Sequence, residues 1–163
     1  MNSKSLNSGL QCLLVALVLC VSPVHAAGKD ELSSMFEWWN AAFKSPEGFT
    51  EAAFAKHFTA DAALIIDGVE QARGLPALVQ HFRKIQASGA AVEIVLPFRQ
   101  MFKQGDKIYT YHVIRSVRNG VPGCTLAAGH AFLKKGKISE VSLVRSLLSP
   151  QQAEKDPSCK QKA

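Results

Sequence analysis

The periodicity of the apolar residues changes near residue 90, and no other feature of the sequence constrains the fold as strongly. Before residue 90, apolar residues recur at spacings of three and four, which places them on one face of a helix. After residue 90, apolar and polar residues alternate, as they do along a half-buried β-strand. Helices first and strands afterwards predict an α+β domain, with the helices packed on one face of a curved sheet.

Three helices and one short strand are predicted before this change. The first helix spans Asp30 to Lys44. Its apolar face consists of Leu32, Met35, Phe36, Trp39 and Phe43. Thr50 is the predicted N-cap of a second, short helix, and Pro76 lies in the first turn of the third. A short apolar strand, from Ala63 to Asp67, is predicted between the second and third helices.

Four longer strands are predicted after the change in periodicity. The first starts at Ala90 and runs to a turn at Gln104. The other three are residues 108–117, 124–133 and 138–148. Asn119-Gly120 is a strong signal for a β-hairpin turn, so the strands are expected to form an antiparallel meander.

The first 26 residues have the pattern of a cleaved secretory signal peptide. Lys4 gives a basic start, the run from Cys12 to Val21 is entirely apolar, and Val24-His25-Ala26 presents small residues where a signal peptidase reads them. The apolar run is about half of the roughly 20 residues that a helix needs to cross a bilayer, so no stable membrane anchor is predicted. We expect cleavage after Ala26 and export, to a periplasm or out of the cell.

Two of the four cysteines lie in this predicted signal, which leaves Cys124 and Cys159. In an oxidising compartment such a pair is more often a disulfide than a metal site, and the sequence has no CxxC motif. Two free thiols are the alternative. A disulfide would hold the polar C-terminal tail, residues 149–163, which we otherwise expect to be mobile.

The charge balance is basic, with 19 Lys and Arg against 13 Asp and Glu and a formal net charge of +6. Lys134, Lys135 and Lys137 cluster at one turn. The sequence has no recognition helix, RNA-binding strand motif or long basic run, so we expect a solvated basic surface and no nucleic-acid partner.

Several segments together resemble the SnoaL-like branch of the nuclear transport factor 2-like superfamily, which includes ketosteroid isomerases. They are residues 38–43 (WWNAAF), residues 58–68 (FTADAALIIDG), Arg73-Gly74 before the third helix, and Gly136-Lys137-Ile138 in the last turn. The resemblance covers most of a domain at residues 30–148. It implies a cone, in which a strongly curved, mainly antiparallel sheet wraps around three helices, with an apolar cavity between them and usually a homodimer.

Asp67 is the first candidate catalytic residue. In the ketosteroid isomerase pattern the acidic residue at this place is the proton-shuttling base, and burial in a cavity would raise its pKa. The alternative is that Asp67-Gly68 is a plain turn. In the isomerase pattern two further groups donate hydrogen bonds, a tyrosine and a protonated carboxylic acid. In this sequence the position of the tyrosine matches Trp39, and that of the carboxylic acid falls near Gly129 and His130, so neither donor is kept. Steroid isomerisation is therefore disfavoured, and His130 is a second candidate catalytic group.

Histidines and aromatic residues of the strands are the candidate ligand-binding groups. His112 and His130 lie on adjacent strands and are either hydrogen-bonding pocket groups or ordinary sheet histidines; their spacing predicts no metal site, and no cofactor is predicted. Tyr109 and Tyr111 face one side of their strand. On the concave side they would line the cavity together with Trp39, Phe98 and Met101. On the convex side they would anchor a dimer interface.

Three strand arginines, Arg99, Arg115 and Arg145, carry the same ambiguity. Each is a candidate ion-pair partner of Asp67, a clamp for a ligand carboxylate, or a solvated side chain.

Three functions follow from the candidate residues of the whole sequence. The first is an exported domain that binds a small, largely apolar molecule; the second is an isomerase, cyclase or dehydratase with Asp67 as general base; the third is a structural or partner-binding dimer.

Overall fold

The computed structural model describes residues 29–160 of the chain. Its helices are α1 (Glu31–Phe43), α2 (Glu51–Phe54), α3 (Leu75–Ala87) and α4 (Pro150–Lys155), followed by a short 3-10 helix (Pro157–Cys159). Its strands are β1 (Phe58–Ile66), β2 (Val69–Arg73), β3 (Ala91–Ile94), β4 (Gln100–Gln104), β5 (Lys107–Arg118), β6 (Val121–Lys134) and β7 (Lys137–Leu147). The predicted signal peptide lies outside the described residues, and no helix within them is long and apolar enough to span a membrane.

The three predicted helices form where the sequence places them. Asp30 is the N-cap of α1, and its carboxylate accepts hydrogen bonds from the backbone N–H groups of Leu32 and Ser33. Thr50 caps α2 through the N–H of Ala53, and α3 begins directly after Gly74. These caps satisfy N–H groups that have no partner inside their own helix.

The strands form one seven-stranded sheet in the order β2-β1-β7-β6-β5-β3, and β4 pairs with β5 beyond the end of β3. Pairs β5–β6 and β6–β7 are antiparallel hairpins, whereas β1 and β7 are parallel. The turn between β5 and β6 contains Asn119 and Gly120, both with positive φ, as a two-residue hairpin turn requires. The prediction of an α+β fold with a mainly antiparallel sheet is confirmed.

The single long strand predicted from Ala90 is wrong, because the structure divides this segment into β3 and β4. The strand β3 ends at Ile94, and β4 starts only at Gln100. Pro97 lies between them and has no N–H to donate to a neighbouring strand, which ends regular pairing there. The strand β2 was not predicted.

The C-terminal segment is held against the outer face of the sheet. Cys124 of β6 and Cys159 form a disulfide with a Cα–Cα distance of 5.5 Å, so the predicted pairing is confirmed. Arg99 forms an ion pair with Asp156, and the buried Arg115 donates to the backbone carbonyl of Lys160. Two short helices thus occupy the segment that we expected to be mobile.

Helix α1 lies across the inner face of the sheet and is tied to it by Asn40. The side-chain amide of Asn40 donates to the carbonyl oxygen of Ile94 at 2.8 Å and accepts from its N–H at 2.8 Å. Phe49, Phe54 and Phe82 pack together beside α1, with neighbouring ring centroids 5.6 to 5.8 Å apart. The core therefore sits between the helices and the concave face of the sheet.

Candidate ligand-binding cavity

A cavity of about 160 Å³ lies between α1, α3 and the concave face of the sheet. Its apolar lining consists of Met35, Phe36, Trp39, Leu64, Ile66, Phe82, Ile85, Val92, Ile94, Ile114, Val141 and Leu143. Its polar lining consists of His81, His112, Ser116, Arg118, Thr125 and Arg145. The largely apolar wall with a few polar groups is the usual composition of a small-molecule site.

A depression of about 360 Å³ lined by Phe102, Tyr109, Tyr111 and His130 lies on the convex face, and two larger ones, of about 780 and 770 Å³, also lie on the surface. One lies where the ends of α1 and α3 meet β3, and the other lies under the C-terminal segment. Each is a broad surface cleft rather than a space enclosed between the two layers. We regard the smaller interior cavity as the better ligand site, because binding there removes most of a ligand's surface from water.

Strand β5 supplies the polar centre of this cavity. Along β5 the side chains of Ile108, Thr110 and His112 face the helices and are buried, whereas Tyr109 and Tyr111 face the opposite side. This alternation places His112 beside Phe36 of α1, with the two ring centroids 5.7 Å apart.

His112 is 2% exposed. Burial lowers the pKa of its imidazole from 6.5 to about 4, because a charged ring would lose its hydration among apolar neighbours. Its Nδ1 atom lies 3.2 Å from the hydroxyl oxygen of Thr110, two residues earlier on the same face. Phe98 packs against the ring with a centroid distance of 5.5 Å.

Two buried nitrogen atoms of the cavity wall have no hydrogen-bond partner among the residues that the structure describes. They are Nε2 of His112 and the indole Nε1 of Trp39. Trp39 is 6% exposed and is held by Phe43 and Phe82, at centroid distances of 4.9 and 5.6 Å. Buried polar groups without a partner are rare in native proteins, so these two nitrogen atoms are an unusual feature of this cavity wall.

One end of the cavity is polar and exposed. We call Ser116, Arg118, Thr125 and Arg145 its rim, and both arginines of the rim are exposed to solvent. Arg145 holds Asp67, with its Nη2 and Nε atoms 2.7 and 3.0 Å from one carboxylate oxygen. In the ion pairs found across residues 29–160, Arg118 has no acidic partner.

Asp67 lies in the turn between β1 and β2 and is not part of the cavity wall. Its φ is 54° and that of Gly68 is 79°, which are the values of a tight hairpin turn. The side chain is exposed, and hydrogen bonds from Arg145 hold the pKa of its carboxyl below the usual range. The geometry therefore matches the alternative of a turn residue, since a carboxylate paired with a guanidinium in water is a weaker base than usual.

Tyr109, Tyr111 and His130 lie on the convex face of the sheet, which is the second of the two placements that the alternation of β5 left open for the tyrosines. Tyr109 stacks on Phe102 with a centroid distance of 4.6 Å and lies 5.8 Å from His130. His130 Nε2 is 3.8 Å from a carboxylate oxygen of Glu140. None of these residues contributes to the cavity wall, so His130 has no geometry for donating to a ligand there.

The remaining predicted ligand-binding residues lie on the concave side of the sheet, but only two of the four belong to the cavity wall. Trp39 and His112 line the cavity. Phe98 contacts the ring of His112 but is not part of the cavity wall. Met101, on β4, is 44% exposed and is not part of the wall either. Sequence reasoning missed Thr110, although its position two residues before His112 on one face of a strand was a signal that could have found it.

The described part of the chain contains no cluster of three or more His, Cys, Asp or Glu side chains placed to hold a metal ion.

Neither a protein-family model nor a curated protein sequence matches the chain. Solved structures do match it. One is a nuclear transport factor 2-like protein of unknown function from Exiguobacterium sp. 255-15, at 18% identity and a TM-score of 0.57, covering 73% of this chain and 98% of that one.

Two further solved structures have the same architecture. A protein from Jannaschia sp. CCS1, assigned as a SnoaL-like polyketide cyclase, is 12% identical with a TM-score of 0.54, covering 72% of this chain and 82% of that one. A Catenulispora acidiphila DSM 44928 protein with a ketosteroid isomerase-like fold, in complex with trimethylamine, is 15% identical with a TM-score of 0.52, covering 77% and 95%. The chain has the nuclear transport factor 2-like cone fold, as the resemblance implied.

Proposed function

We propose that this protein binds one small, largely apolar molecule in the cavity between α1, α3 and the sheet. The observation that carries the proposal is the largely apolar cavity that lies between the helices and the concave face of the sheet. Catalysis by Asp67 is not part of the proposal, because that carboxylate is exposed, paired with Arg145 and absent from the cavity wall. The cone fold is compatible with binding and with isomerase-type chemistry alike, so the proposal rests on the site.

The test is the binding of toluene, measured by calorimetry and by the shift of the thermal midpoint. A ligand that binds only the folded state stabilises it by about 2.7 kcal/mol at one hundred times its Kd. Leu143→Phe fills part of the cavity and should weaken toluene binding. Leu147→Phe makes the same change on the same strand at a side chain that is 74% exposed, and should leave binding unchanged. Absence of binding by the unmodified protein would refute the proposal, as would equal effects of the two variants.

We also propose that the convex face of the sheet forms a homodimer interface. Phe102 and Val144 are 59% and 61% exposed there, beside the half-buried Tyr109 and Tyr111. A contiguous exposed aromatic and apolar patch is typical of an interaction surface. A second copy of the same face would cover it symmetrically.

Sedimentation velocity or light scattering tests this interface. Phe102→Lys should convert a dimer into a monomer, because it buries a charge at the centre of the patch. Val69→Lys is the matched control, since Val69 is 60% exposed on the distant edge strand β2 and should leave the dimer intact. A monomeric unmodified protein at tens of micromolar would refute the interface.

We further propose that the chain is exported and cleaved after Ala26. The N-terminal pattern and the disulfide between Cys124 and Cys159 support this, because structural disulfides persist in oxidising compartments. N-terminal sequencing of the protein recovered from a periplasmic or culture fraction should begin at Ala27. Recovery of the uncleaved chain in the cytoplasm would contradict it.

A further inference from the structure

We infer that the ligand of this cavity is a small monocarboxylate, whose apolar body lies inside the cavity and whose carboxylate is bound by Arg118 at the rim. The inference rests on the proposed ligand-binding function and adds the chemical class of the ligand. It depends on three features, which are the place where the cavity opens, the charges of its wall, and the size of its interior.

The interior cavity opens into the surface cleft that lies under the C-terminal segment. Ser116, Arg118 and Thr125 line both spaces, whose volumes are about 160 and about 770 Å³. The apolar side chains of the cavity wall lie deeper and do not line the cleft. A ligand can therefore enclose its apolar part in the cavity and present a polar end to these three side chains.

The sheet places the three side chains in one corner of its concave face. Ser116 and Arg118 are two residues apart near the end of β5, so they point to the same side. Thr125 of the neighbouring strand pairs with Ile114, on that same side. Gly123 pairs with Ser116, and a Cβ atom at residue 123 would come within 2.9 Å of the Ser116 hydroxyl oxygen. Because residue 123 has no side chain, the space beside this hydroxyl is free.

The side chains of the cavity wall include cations but no Asp or Glu among residues 29–160. Asp67 pairs with Arg145 and balances its charge, whereas Arg118 has no acidic partner in the same range. Glu154 lines the cleft but forms no ion pair with Arg118. Burial lowers the pKa of His81, so this ring adds no charge at neutral pH. One unpaired guanidinium at the opening favours a ligand with one negative charge.

The donors at the opening match the two oxygen atoms of a carboxylate. The guanidinium of arginine is a planar fork of N–H groups that can donate to both oxygen atoms at once. The hydroxyl groups of Ser116 and Thr125 are half-buried and can each donate one further hydrogen bond. Since Arg118 is exposed, a carboxylate bound there stays partly hydrated and avoids the full cost of burying an ion.

The size of the interior limits the apolar body to about one ring. Its volume is about 160 Å³. An engineered apolar cavity of about 150 Å³ in another protein binds benzene, which sets the scale. Hydrocinnamate, which has one phenyl ring, a short methylene chain and one carboxylate, is therefore a suitable probe.

The experiment compares hydrocinnamate with hydrocinnamamide, a neutral molecule of nearly the same shape. Calorimetry gives the ratio of the two affinities for the unmodified protein, Arg118→Gln and Lys134→Gln. We expect the unmodified protein to bind the carboxylate about three- to tenfold more tightly, between the effect of an exposed ion pair and that of a hydrogen bond to a charged group. Arg118→Gln should bring the ratio close to one. Lys134→Gln removes the same charge at the far end of β6 and should keep the ratio.

Leu143→Phe tests whether the ring lies in the interior. It narrows the cavity and should weaken both ligands by the same factor, because both enclose the same ring. Undiminished hydrocinnamate affinity in Leu143→Phe would place the acid in the surface cleft alone and would overturn the inference.

Two other results would also overturn the inference. They are equal affinities of the unmodified protein for the two ligands, and equal effects of Arg118→Gln and Lys134→Gln, which would trace the preference to the net charge of the chain. Binding of toluene by the unmodified protein would leave the proposed function standing in each of these cases. Failure of toluene and both ligands to bind would overturn the proposed function as well.

Discussion

Acidification should destabilise this protein through His112, starting at a pH above the range in which carboxyl groups usually titrate. The imidazole has a pKa of about 4 in the folded protein and an ordinary value of 6.5 when hydrated. The unfolded chain therefore binds a proton below pH 6.5 that the folded chain does not bind until about pH 4. Stability falls as the pH falls through this window, with a slope of about 1.4 kcal/mol per pH unit and a total of about 3 kcal/mol by pH 4.

Urea unfolding of the unmodified protein and of His112→Phe between about pH 7.5 and about pH 4 isolates this contribution. Burial also lowers the pKa of His57 and His81, so both proteins lose stability on acidification. Only the unmodified protein also loses the stability that depends on His112. The difference in unfolding free energy between the unmodified protein and His112→Phe should therefore change by about 3 kcal/mol between about pH 6.5 and about pH 4. Parallel pH profiles would show that the folded protein protonates His112 without penalty and would refute the assignment of a neutral, buried ring.

Three further predictions concern stability and the role of the turn. Asp67→Asn should leave toluene affinity and the thermal midpoint nearly unchanged, because asparagine also tolerates positive φ and an exposed ion pair contributes little; a large loss of binding would contradict the assignment of a turn residue. Cys159→Ser should lower the unfolding free energy by about 4 kcal/mol in the chain-entropy model, since the bond closes a loop with a sequence separation of 35 residues; an unchanged urea midpoint would contradict it. Asn40→Ala should cost about 2 kcal/mol, because it removes two hydrogen bonds and leaves both backbone groups of Ile94 unpaired; a urea unfolding curve that does not move would contradict this.

Local features of the sequence were sufficient to predict several parts of the molecule. The spacing of apolar residues predicted α1, and Asp30 and Thr50 were identifiable as caps by their residue type. Asn119-Gly120 predicted its hairpin, and the cysteine count together with the export signal predicted the disulfide. Each of these depends on neighbours in the sequence or on the compartment, so no knowledge of the fold was needed.

The short C-terminal helix shows that some local signals were present but overlooked. Ser149 and Gln152 form a capping box, in which each side chain hydrogen-bonds to the backbone of the other. Together with Pro150 at the first helical position, this pattern could have predicted α4. The polar composition of the segment suggested a mobile tail instead. The segment needs few apolar residues, because a disulfide and not a buried apolar face holds it against the sheet.

Local sequence patterns were enough to predict α1, α2, α3, the strands β5, β6 and β7, the hairpin turn at Asn119-Gly120 and the disulfide, but which face of each strand meets the helices depends on the folded sheet. Strand β5 has apolar residues on both faces, so its alternation cannot show that His112 faces the helices and Tyr109 faces outward. That choice is made by the curvature of the sheet and by the packing of α1 across it. The pairing of Asp67 with Arg145, 78 residues away, has the same origin, because contacts between distant segments exist only after the sheet has brought β1 beside β7.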